Sequence, residues 1–384
     1  MNPSEDPARA VTGSAVAAAT PGVGVRVAVD AMGGDHGADE VVPGALAYAR
    51  SHPEDTIILV GDEAVLARFL ADRPVNVRTV HASQVIGMDE HPALALREKK
   101  DATILVAMDL VRRGEADAVV TAGHTGAGMA AAVLRLGRLR GVDRPALAVQ
   151  MVGTENPFVL LDIGANPDST PENLAQYAQM GAIFSERVLG VVRPRVALLS
   201  IGEEKGKGDA RIMRATELLD ETDLNFIGNV EGKDLTQFAA DVVVCDAVLG
   251  NVVIKFFEGL SSYIFDLLRA EFSGSIRGRM AYLLMRPGIR RIRTVFDYEV
   301  VGGSPLLGVR GTVIITHGRA KRRMIEHAVR VGATTARERV AERIGEALGA
   351  GAAAAASSAA AAGSTDAGAD EADATAAVDT EPAS

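Results

Sequence analysis

The feature that most constrains the fold is a recurring unit: a short β-branched apolar run, a polar turn that contains glycine, and a helical stretch. Seven segments each contain one such apolar run and the turn that follows it: VRVAVDAMGGDHG, TIILVGDEA, DAVVTAGHTGAG, PFVLLDIGAN, RVALLSIGEEKGKGD, DVVVCDAVLGN and GTVIITHG. The runs are nearly continuous in apolar character, which is typical of strands that are covered on both faces. Helical stretches lie between them, at residues 38–51, 101–113, 125–139, 171–189, 209–220 and 320–347. The alternation predicts an α/β fold with a largely parallel sheet.

The two ends of the chain lack this pattern. Residues 1–24 are rich in Ala, Pro, Gly and Thr, and the segment from about residue 349 onward is an Ala-rich acidic tract. Neither end has an apolar face that a core could cover. We therefore expect 1–24 and 348–384 to be disordered and 25–347 to form the folded domain.

Composition excludes several classes of protein. The formal net charge of the 384 residues is -10, and no Lys or Arg follows Arg343. Acidic character without a dominant basic field argues against a nucleic acid partner. Cys245 is the only cysteine, which excludes an internal disulfide and fits a reducing cytosol. No run of about 18 apolar residues is present, so we expect no membrane-spanning helix.

Polar residues follow the predicted strands at many of the turns. Ligands of parallel sheets bind beyond the carboxyl ends of the strands, so we expect one crevice along a single sheet edge. Capping of the next helix is an equally good interpretation of any single aspartate. The residues concerned are Asp30, Asp35, His124, Asp162, Asn166, Lys205, Lys207, Asp246, Asn251 and His317.

Two glycine-rich turns are candidates for binding an anion. DAMGGDHG is interpreted equally well as an anion cradle, a metal site or a tight turn. In TAGHTGAG, glycines let the backbone approach a ligand, and the following helix start offers free N–H groups that suit phosphate. A tight turn with close helix packing explains the same glycines. No His-x-x-x-His or Cys/His spacing is present, so no metal site is predicted.

Two later turns carry candidate catalytic groups. IGEEKGKGD places Lys205 and Lys207 in a glycine-rich loop, which suits a phosphate or a developing oxyanion, although a solvated charged loop is the alternative. In CDAVLGNVVIKFFEG, Asp246 and Asn251 can face the same crevice. Cys245 ends an apolar run and is interpreted as a buried structural thiol rather than a nucleophile.

A helical hairpin is predicted at about 252–293, with a break at Pro287–Gly288. Its second part interleaves arginines with apolar residues. That pattern suits an anionic membrane surface, an acidic protein partner or packing within a dimer. The predicted contact residues are Arg279, Leu283, Leu284, Arg286, Ile289 and Arg290.

The motifs, taken in order, resemble those of the bacterial phosphate acyltransferases over roughly residues 25–345. They are VDAMGGDHG, HPALALREKKDATI, TAGHTGAGMA, LLDIGANPD, ENLAQYAQMGA, LLSIGEEKGKGD, NFIGNVEGKDL, CDAVLGNVVIKFFEG and HGRA. The resemblance implies a three-layer α/β/α fold similar to isopropylmalate dehydrogenases and phosphotransacetylases, and a homodimer. It implies synthesis of acyl-phosphate from fatty acyl-acyl-carrier-protein and inorganic phosphate, without a metal or other cofactor. It also implies a cytoplasmic enzyme, peripheral to the inner face of the cell membrane, that supplies a membrane-bound glycerol-3-phosphate acyltransferase in phospholipid synthesis.

With that reaction in mind, we predict Lys207, Asp246 and Asn251 as catalytic residues. Phosphate is expected among the backbone amides of Gly33–Gly34 and Gly126–Gly128. The further predicted substrate-binding residues are Asp30, Asp35, His124, Asn166 and Lys205.

The sequence departs from the expected family pattern at several turns. His124 and Asp209 stand where asparagine is usual, Ala247–Val248 where Gly-Phe is usual, and Arg319–Ala320 where serine follows His-Gly. Two alternatives stay open at this point: a metal- and NAD-dependent hydroxyacid dehydrogenase on a similar fold, and a catalytically weakened membrane scaffold.

Overall fold

A computed structural model describes residues 24–151, 157–295 and 302–350. One sheet runs through the molecule, with the strand order β3-β2-β1-β4-β11-β10-β5-β6-β9-β7-β8. The strands are β1 (Arg26–Asp30), β2 (Thr56–Gly61), β3 (Val77–His81), β4 (Ala118–Thr121), β5 (Ala146–Met151), β6 (Phe158–Leu161), β7 (Val196–Leu199), β8 (Phe226–Val230), β9 (Val242–Val244), β10 (Ser304–Leu307) and β11 (Thr312–Ile315).

The helices fill the connections between these strands. A π-helical turn (Ser185–Leu189) continues α6, and a short 3₁₀ turn covers Asp234–Thr236. The helices are α1 (Ala38–Ser51), α2 (Glu63–Ala67), α3 (Pro92–Glu98), α4 (Thr103–Arg112), α5 (Thr125–Arg135), α6 (Pro171–Phe184), α7 (Ala210–Asp220), α8 (Ala247–Ser273), α9 (Ile276–Val295), α10 (Arg322–Arg337) and α11 (340–350).

Strand direction reverses across the middle of the sheet. The strands from β3 to β11 are parallel to one another, and so are those from β6 to β8. Between these halves β10 pairs antiparallel with β11 and β5, and β5 pairs antiparallel with β6. The predicted largely parallel α/β sheet is confirmed. The expectation of a single shared carboxyl edge is wrong, because the strands of the two halves end at opposite edges.

Alternation along each strand sends side chains into two helical layers. On β1, Val27 and Val29 pack under α1 and α10, whereas Ala28 packs under α4 and α5. On β10, Leu307 belongs to the core beneath α6 and α7, and Leu306 to the core on the opposite face. The start of α8 covers that opposite face in the second half of the sheet. The predicted three-layer α/β/α arrangement is therefore confirmed.

Helices α8 and α9 form the predicted hairpin, but its turn lies elsewhere. The turn falls at Gly274–Ser275, where the Ser275 hydroxyl accepts a hydrogen bond from the Gly278 N–H at 2.9 Å. Pro287 lies inside α9, so the predicted break at Pro287–Gly288 is wrong. The carbonyl that the proline ring leaves unpaired belongs to Leu283, which is exposed, so water can satisfy it.

Helix α8 also differs from expectation in its apolar character. By length and composition it could cross a membrane, and only 11% of the relevant window is buried. The expectation that no helix spans a membrane stays a prediction.

The predicted disordered ends lie mostly outside the described residues. At the C-terminal boundary, α11 continues to residue 350 and Leu348 is buried in the core of the second half. Residues 348–350, which were expected to be disordered, are therefore helical.

Candidate functional site

The turns after β1 and β4 lie against each other at one edge of the sheet. Asp30 ends β1 in a fully buried position, and its carboxylate accepts a hydrogen bond from Thr121 Oγ1 at 2.8 Å. Burial raises the pKa of Asp30. A Cβ at Gly33 would lie 2.8 Å from Asp30 Oδ2 and 2.9 Å from the Gly123 nitrogen. Glycine at position 33 is therefore required for the two turns to meet.

The amides of the second turn are already engaged. His124 is the N-cap of α5, and its Nδ1 accepts hydrogen bonds from Gly126 N at 3.1 Å and Ala127 N at 3.4 Å. The Gly128 N–H donates to the His124 carbonyl at 2.9 Å. A phosphate bound to the Gly126–Gly128 amides would have to displace this cap. His124 acts here as a helix cap, and its ring takes the place that an anion would occupy.

The first turn is tied to the loop that follows β11. The Asp35 N–H donates to the Gly318 carbonyl at 2.8 Å, while the Asp35 side chain is exposed. Gly37 is the N-cap of α1, so His36, which is exposed, does not cap that helix. The predicted group Asp30, Gly33, Gly34 and Asp35 thus lies together, beside the β11 loop.

Asp246 lies in a different cluster, at the opposite edge. Its Oδ1 accepts hydrogen bonds from the backbone of the first turn of α8, at 2.9 and 3.0 Å. Its Oδ2 forms an ion pair with the Arg211 guanidinium at 2.9 Å, and the Asp246 side chain is 13% exposed. Arg211 also contacts Asp209, the N-cap of α7, at 3.3 Å. One arginine therefore joins the starts of α7 and α8.

The loop that contains Lys205 and Lys207 is held in place by hydrogen bonds from a buried asparagine. Asn229 donates through Nδ2 to the carbonyls of Glu204 and Lys207, each at 3.3 Å. Lys207 is exposed, and no hydrogen bond or ion pair engages its ammonium within the described part of the chain. Lys205 instead pairs with Asp220 at 2.8 Å on the surface. Of the two predicted lysines, Lys207 is the one available to a ligand.

Asp162 organises the loop that supports α8. Its buried carboxylate accepts backbone hydrogen bonds from Leu147, Gly164, Ala165 and Asn166, at 2.8–3.1 Å.

Asn166 links the Asp162 loop to the first residue of α8 through hydrogen bonds. Its side-chain amide donates to the Pro145 carbonyl at 2.6 Å and to Asp162 at 3.0 Å, and its own carbonyl accepts from Ala247 N at 3.3 Å. A Cβ at Gly250 would collide with the Asp162 carbonyl. Asn166, predicted to bind substrate, has its side chain engaged in supporting the start of α8.

Helix α8 connects the two clusters. Asn251 is exposed five residues after Asp246, and Lys255 lies one turn further, where the rise of about 1.5 Å per residue carries it across the face of the sheet. Lys255 Nζ lies 3.4 Å from His317 Nε2, in the loop after β11. Groups from both halves of the sheet therefore line one helix.

Cys245 precedes this helix and is 1% exposed. Burial raises the pKa of its thiol well above the ordinary value, and Asp246 adds to the effect. This matches the prediction of a structural thiol rather than a nucleophile.

The hairpin presents most of its predicted contact residues to solvent. Leu283 and Leu284 are 63% and 82% exposed, and Ile289 is half-buried. The arginines predicted beside them, Arg279, Arg286 and Arg290, are also exposed.

Three residues of the site were missed from the sequence. Arg211 follows Asp209, the N-cap of α7, by two residues. Asn229 lies within β8, a strand that the sequence pattern did not reveal. Lys255 lies on the helix one turn beyond Asn251, on the side that reaches His317. Within the three described ranges no group of three His, Cys, Asp or Glu side chains is arranged to hold a metal ion.

Comparison with known proteins decides the family. A family model described as "Fatty acid synthesis protein" matches residues 25–343. The chain is 47% identical over 310 residues to a phosphate acyltransferase of Desulfitobacterium hafniense (strain Y51), a match that covers 80% of this chain and 92% of that protein. It is 44% identical over 329 residues to a phosphate acyltransferase of Dictyoglomus turgidum, covering 84% and 98%. The chain belongs to the phosphate acyltransferase family. The family resemblance inferred from the motifs is therefore confirmed. The prediction that the chain is a transferase is confirmed as well.

Solved structures support the fold assignment. A phosphotransacetylase from Streptococcus pyogenes matches with a TM-score of 0.56 and 16% identity, covering 82% of this chain and 94% of that one. A branched-chain phosphotransacylase from Enterococcus faecalis V583 matches with a TM-score of 0.52 and 15% identity, covering 81% and 99%. At such identities the likeness concerns the fold, and it confirms the predicted phosphotransacetylase-like architecture.

Proposed function

We propose that this chain transfers a fatty acyl group reversibly from acyl-acyl-carrier-protein to inorganic phosphate. The observation that carries the proposal is the 47% identity to a phosphate acyltransferase over 92% of that relative's length. The family description, a fatty acid synthesis protein, supports a place in lipid synthesis.

The proposed step is a substitution at the thioester carbonyl. An oxygen of phosphate attacks the carbonyl carbon, a C–O bond forms, and the C–S bond breaks to release the pantetheine thiolate. The thiolate takes a proton from solvent, and no electron is exchanged with a cofactor. Holding phosphate against the carbonyl supplies much of the rate, because it makes the encounter intramolecular. Phosphate is itself the nucleophile, which agrees with a buried Cys245.

Lys207 and Asn251 are the proposed donors to the oxyanion that forms on the carbonyl. Both are exposed; Asn251 lies on α8, which begins beside Asp246, and Lys207 lies in the loop that leads to Asp209, the N-cap of α7. Asp246 has its carboxylate engaged by the α8 amides and Arg211, so we assign it a positioning role. Preorganised donors of this kind lower the barrier by stabilising charge that develops in the transition state.

The hairpin is the proposed docking element. Its exposed leucines and arginines suit the anionic inner face of the cell membrane and the acidic carrier protein. Peripheral attachment there would place acyl-phosphate beside a membrane-bound glycerol-3-phosphate acyltransferase, in the first step of phospholipid synthesis. A homodimer in the cytoplasm completes this proposal.

The function is tested by product formation with purified full-length protein. Acyl-acyl-carrier-protein and phosphate should give acyl-phosphate and free carrier thiol in equal amounts, and omission of phosphate should abolish both. Parallel samples with NAD and hydroxyacids should show no NAD reduction. NAD reduction without acyl-phosphate would replace the proposal with the dehydrogenase alternative, and no turnover of any kind would favour the scaffold.

A further inference from the structure

A cavity of about 300 Å³ lies between α8 and the loop after β11. This volume is sufficient for a small ligand. Three cationic side chains and a single carboxylate contribute to its lining, together with an imidazole. The lining residues are Lys255, Glu258, Gly259, Ser262, His317, Arg319, Lys321 and Met324.

Two hydrogen-bond donors face each other inside this cavity. His317 Nδ1 accepts a hydrogen bond from the Arg319 backbone N–H at 3.2 Å. A neutral imidazole has one acceptor nitrogen, so this bond assigns the ring proton to Nε2. Lys255 Nζ, which can only donate, lies 3.4 Å from that Nε2. An acceptor atom that bridges the two groups would resolve the conflict.

The imidazole is held in its neutral form. Burial lowers the pKa of His317, and the nearby Lys255 and Arg319 lower it further, while Glu258 and Asp35 act in the opposite direction. A neutral ring at pH 7 keeps the single Nε2 donor directed at the cavity.

The cations are only partly neutralised. Glu258 pairs with Lys255 at 3.1 Å. Within residues 24–151, 157–295 and 302–350, Arg319 and Lys321 have no ion pair. Arg319 stands where the family resemblance leads us to expect serine, so this chain adds a guanidinium to the cavity.

We infer that this cavity binds a phosphate group, whose oxygens accept hydrogen bonds from His317 Nε2, Lys255 Nζ and the Arg319 guanidinium. A guanidinium is suited to phosphate because it donates two parallel hydrogen bonds. The inference rests on the proposed function only for the source of the group. Inorganic phosphate and the phosphodiester of the carrier's pantetheine arm share this chemistry.

The test is calorimetric titration of the full-length protein with inorganic phosphate and, separately, with 4′-phosphopantetheine. Arg319→Ser should raise the dissociation constant of at least one of them about 10-fold or more, since it removes a charge-assisted hydrogen bond. Arg343→Ser, which removes an exposed arginine of α11, is the matched control and should change neither. The compound that responds identifies the source, and equal affinities in wild type and Arg319→Ser for both compounds would overturn the inference.

A second readout does not depend on the variant. In protein labelled with ¹⁵N-histidine, the His317 Nε2 resonance should shift when the bound compound is added, and an unmoved resonance at saturation would also overturn the inference. These measurements need no turnover. If the protein binds phosphate in a manner that depends on Arg319 but makes no acyl-phosphate, the proposed function is refuted and the inference about the cavity stands.

Discussion

Replacing Arg211 with leucine should slow the enzyme by loosening the start of α8. The guanidinium binds Asp246 at 2.9 Å and Asp209 at 3.3 Å, and its side chain is 29% exposed. A hydrogen bond to a charged group contributes about 1.5–3 kcal/mol, and partial exposure reduces this to about 1–2 kcal/mol. If that free energy is lost in the transition state, kcat/KM falls about 5- to 30-fold.

The assay is acyl-phosphate formation at several concentrations of phosphate and acyl-carrier-protein. Arg214→Leu is a matched control, because Arg214 lies one turn along α7 and its ion pair is with Glu217. Asp209→Asn keeps a side-chain oxygen that can cap α7 and removes one carboxylate, so it should restore part of the activity of Arg211→Leu. Melting temperatures of all variants separate a local effect from unfolding.

Two results would refute this reasoning. One is an unchanged kcat/KM in Arg211→Leu. The other is a loss of equal size when the substitution is made in an Asp246→Asn background, because the ion pair is then already absent and the two changes should not be additive.

Three further variants test the oxyanion donor, the buried thiol and the membrane-docking hairpin. Lys207→Ala should lower kcat about 10²- to 10³-fold at an unchanged melting temperature, and near-normal turnover would remove Lys207 from the mechanism. Cys245→Ser should keep its turnover, measured as acyl-phosphate release, whereas complete loss in a folded protein would restore the thiol as nucleophile. Leu283→Ser with Leu284→Ser should weaken sedimentation with anionic liposomes about 10-fold or more and leave soluble turnover intact. The control pair Val75→Ser and Val192→Ser removes apolar side chains that are even more exposed elsewhere, and equal sedimentation of both pairs would exclude the hairpin as the anchor.

The fold class could be predicted because seven of the eleven described strands are apolar runs followed by polar turns that contain glycine. The strands β3, β5, β8 and β10 were missed, and two of these, β5 and β10, pair antiparallel with their neighbours. Their antiparallel pairing reverses the sheet, which explains why the expected single edge became two. Pairing direction depends on contacts distant in the chain, so no local pattern encodes it.

The site residues also differ in whether local sequence or distant contacts determine their surroundings. Lys207 and Asp246 were predicted from their position after strands, and their role in catalysis stays a prediction. The surface pairing of Lys205 with Asp220 and the use of His124 as a helix cap depend on neighbours that only the folded chain brings together. Arg211 gains its role from two aspartates, one of them 35 residues away in sequence.

Direct attack of phosphate on the thioester is tested with inorganic phosphate labelled with ¹⁸O at every oxygen and unlabelled acyl-acyl-carrier-protein as the acyl donor. Attack of phosphate on the thioester carbonyl predicts acyl-phosphate that retains all of the phosphate label, with an unlabelled carbonyl oxygen, as read by mass spectrometry. Acyl-phosphate that has lost one labelled oxygen, or no acyl-phosphate at all, would contradict the account.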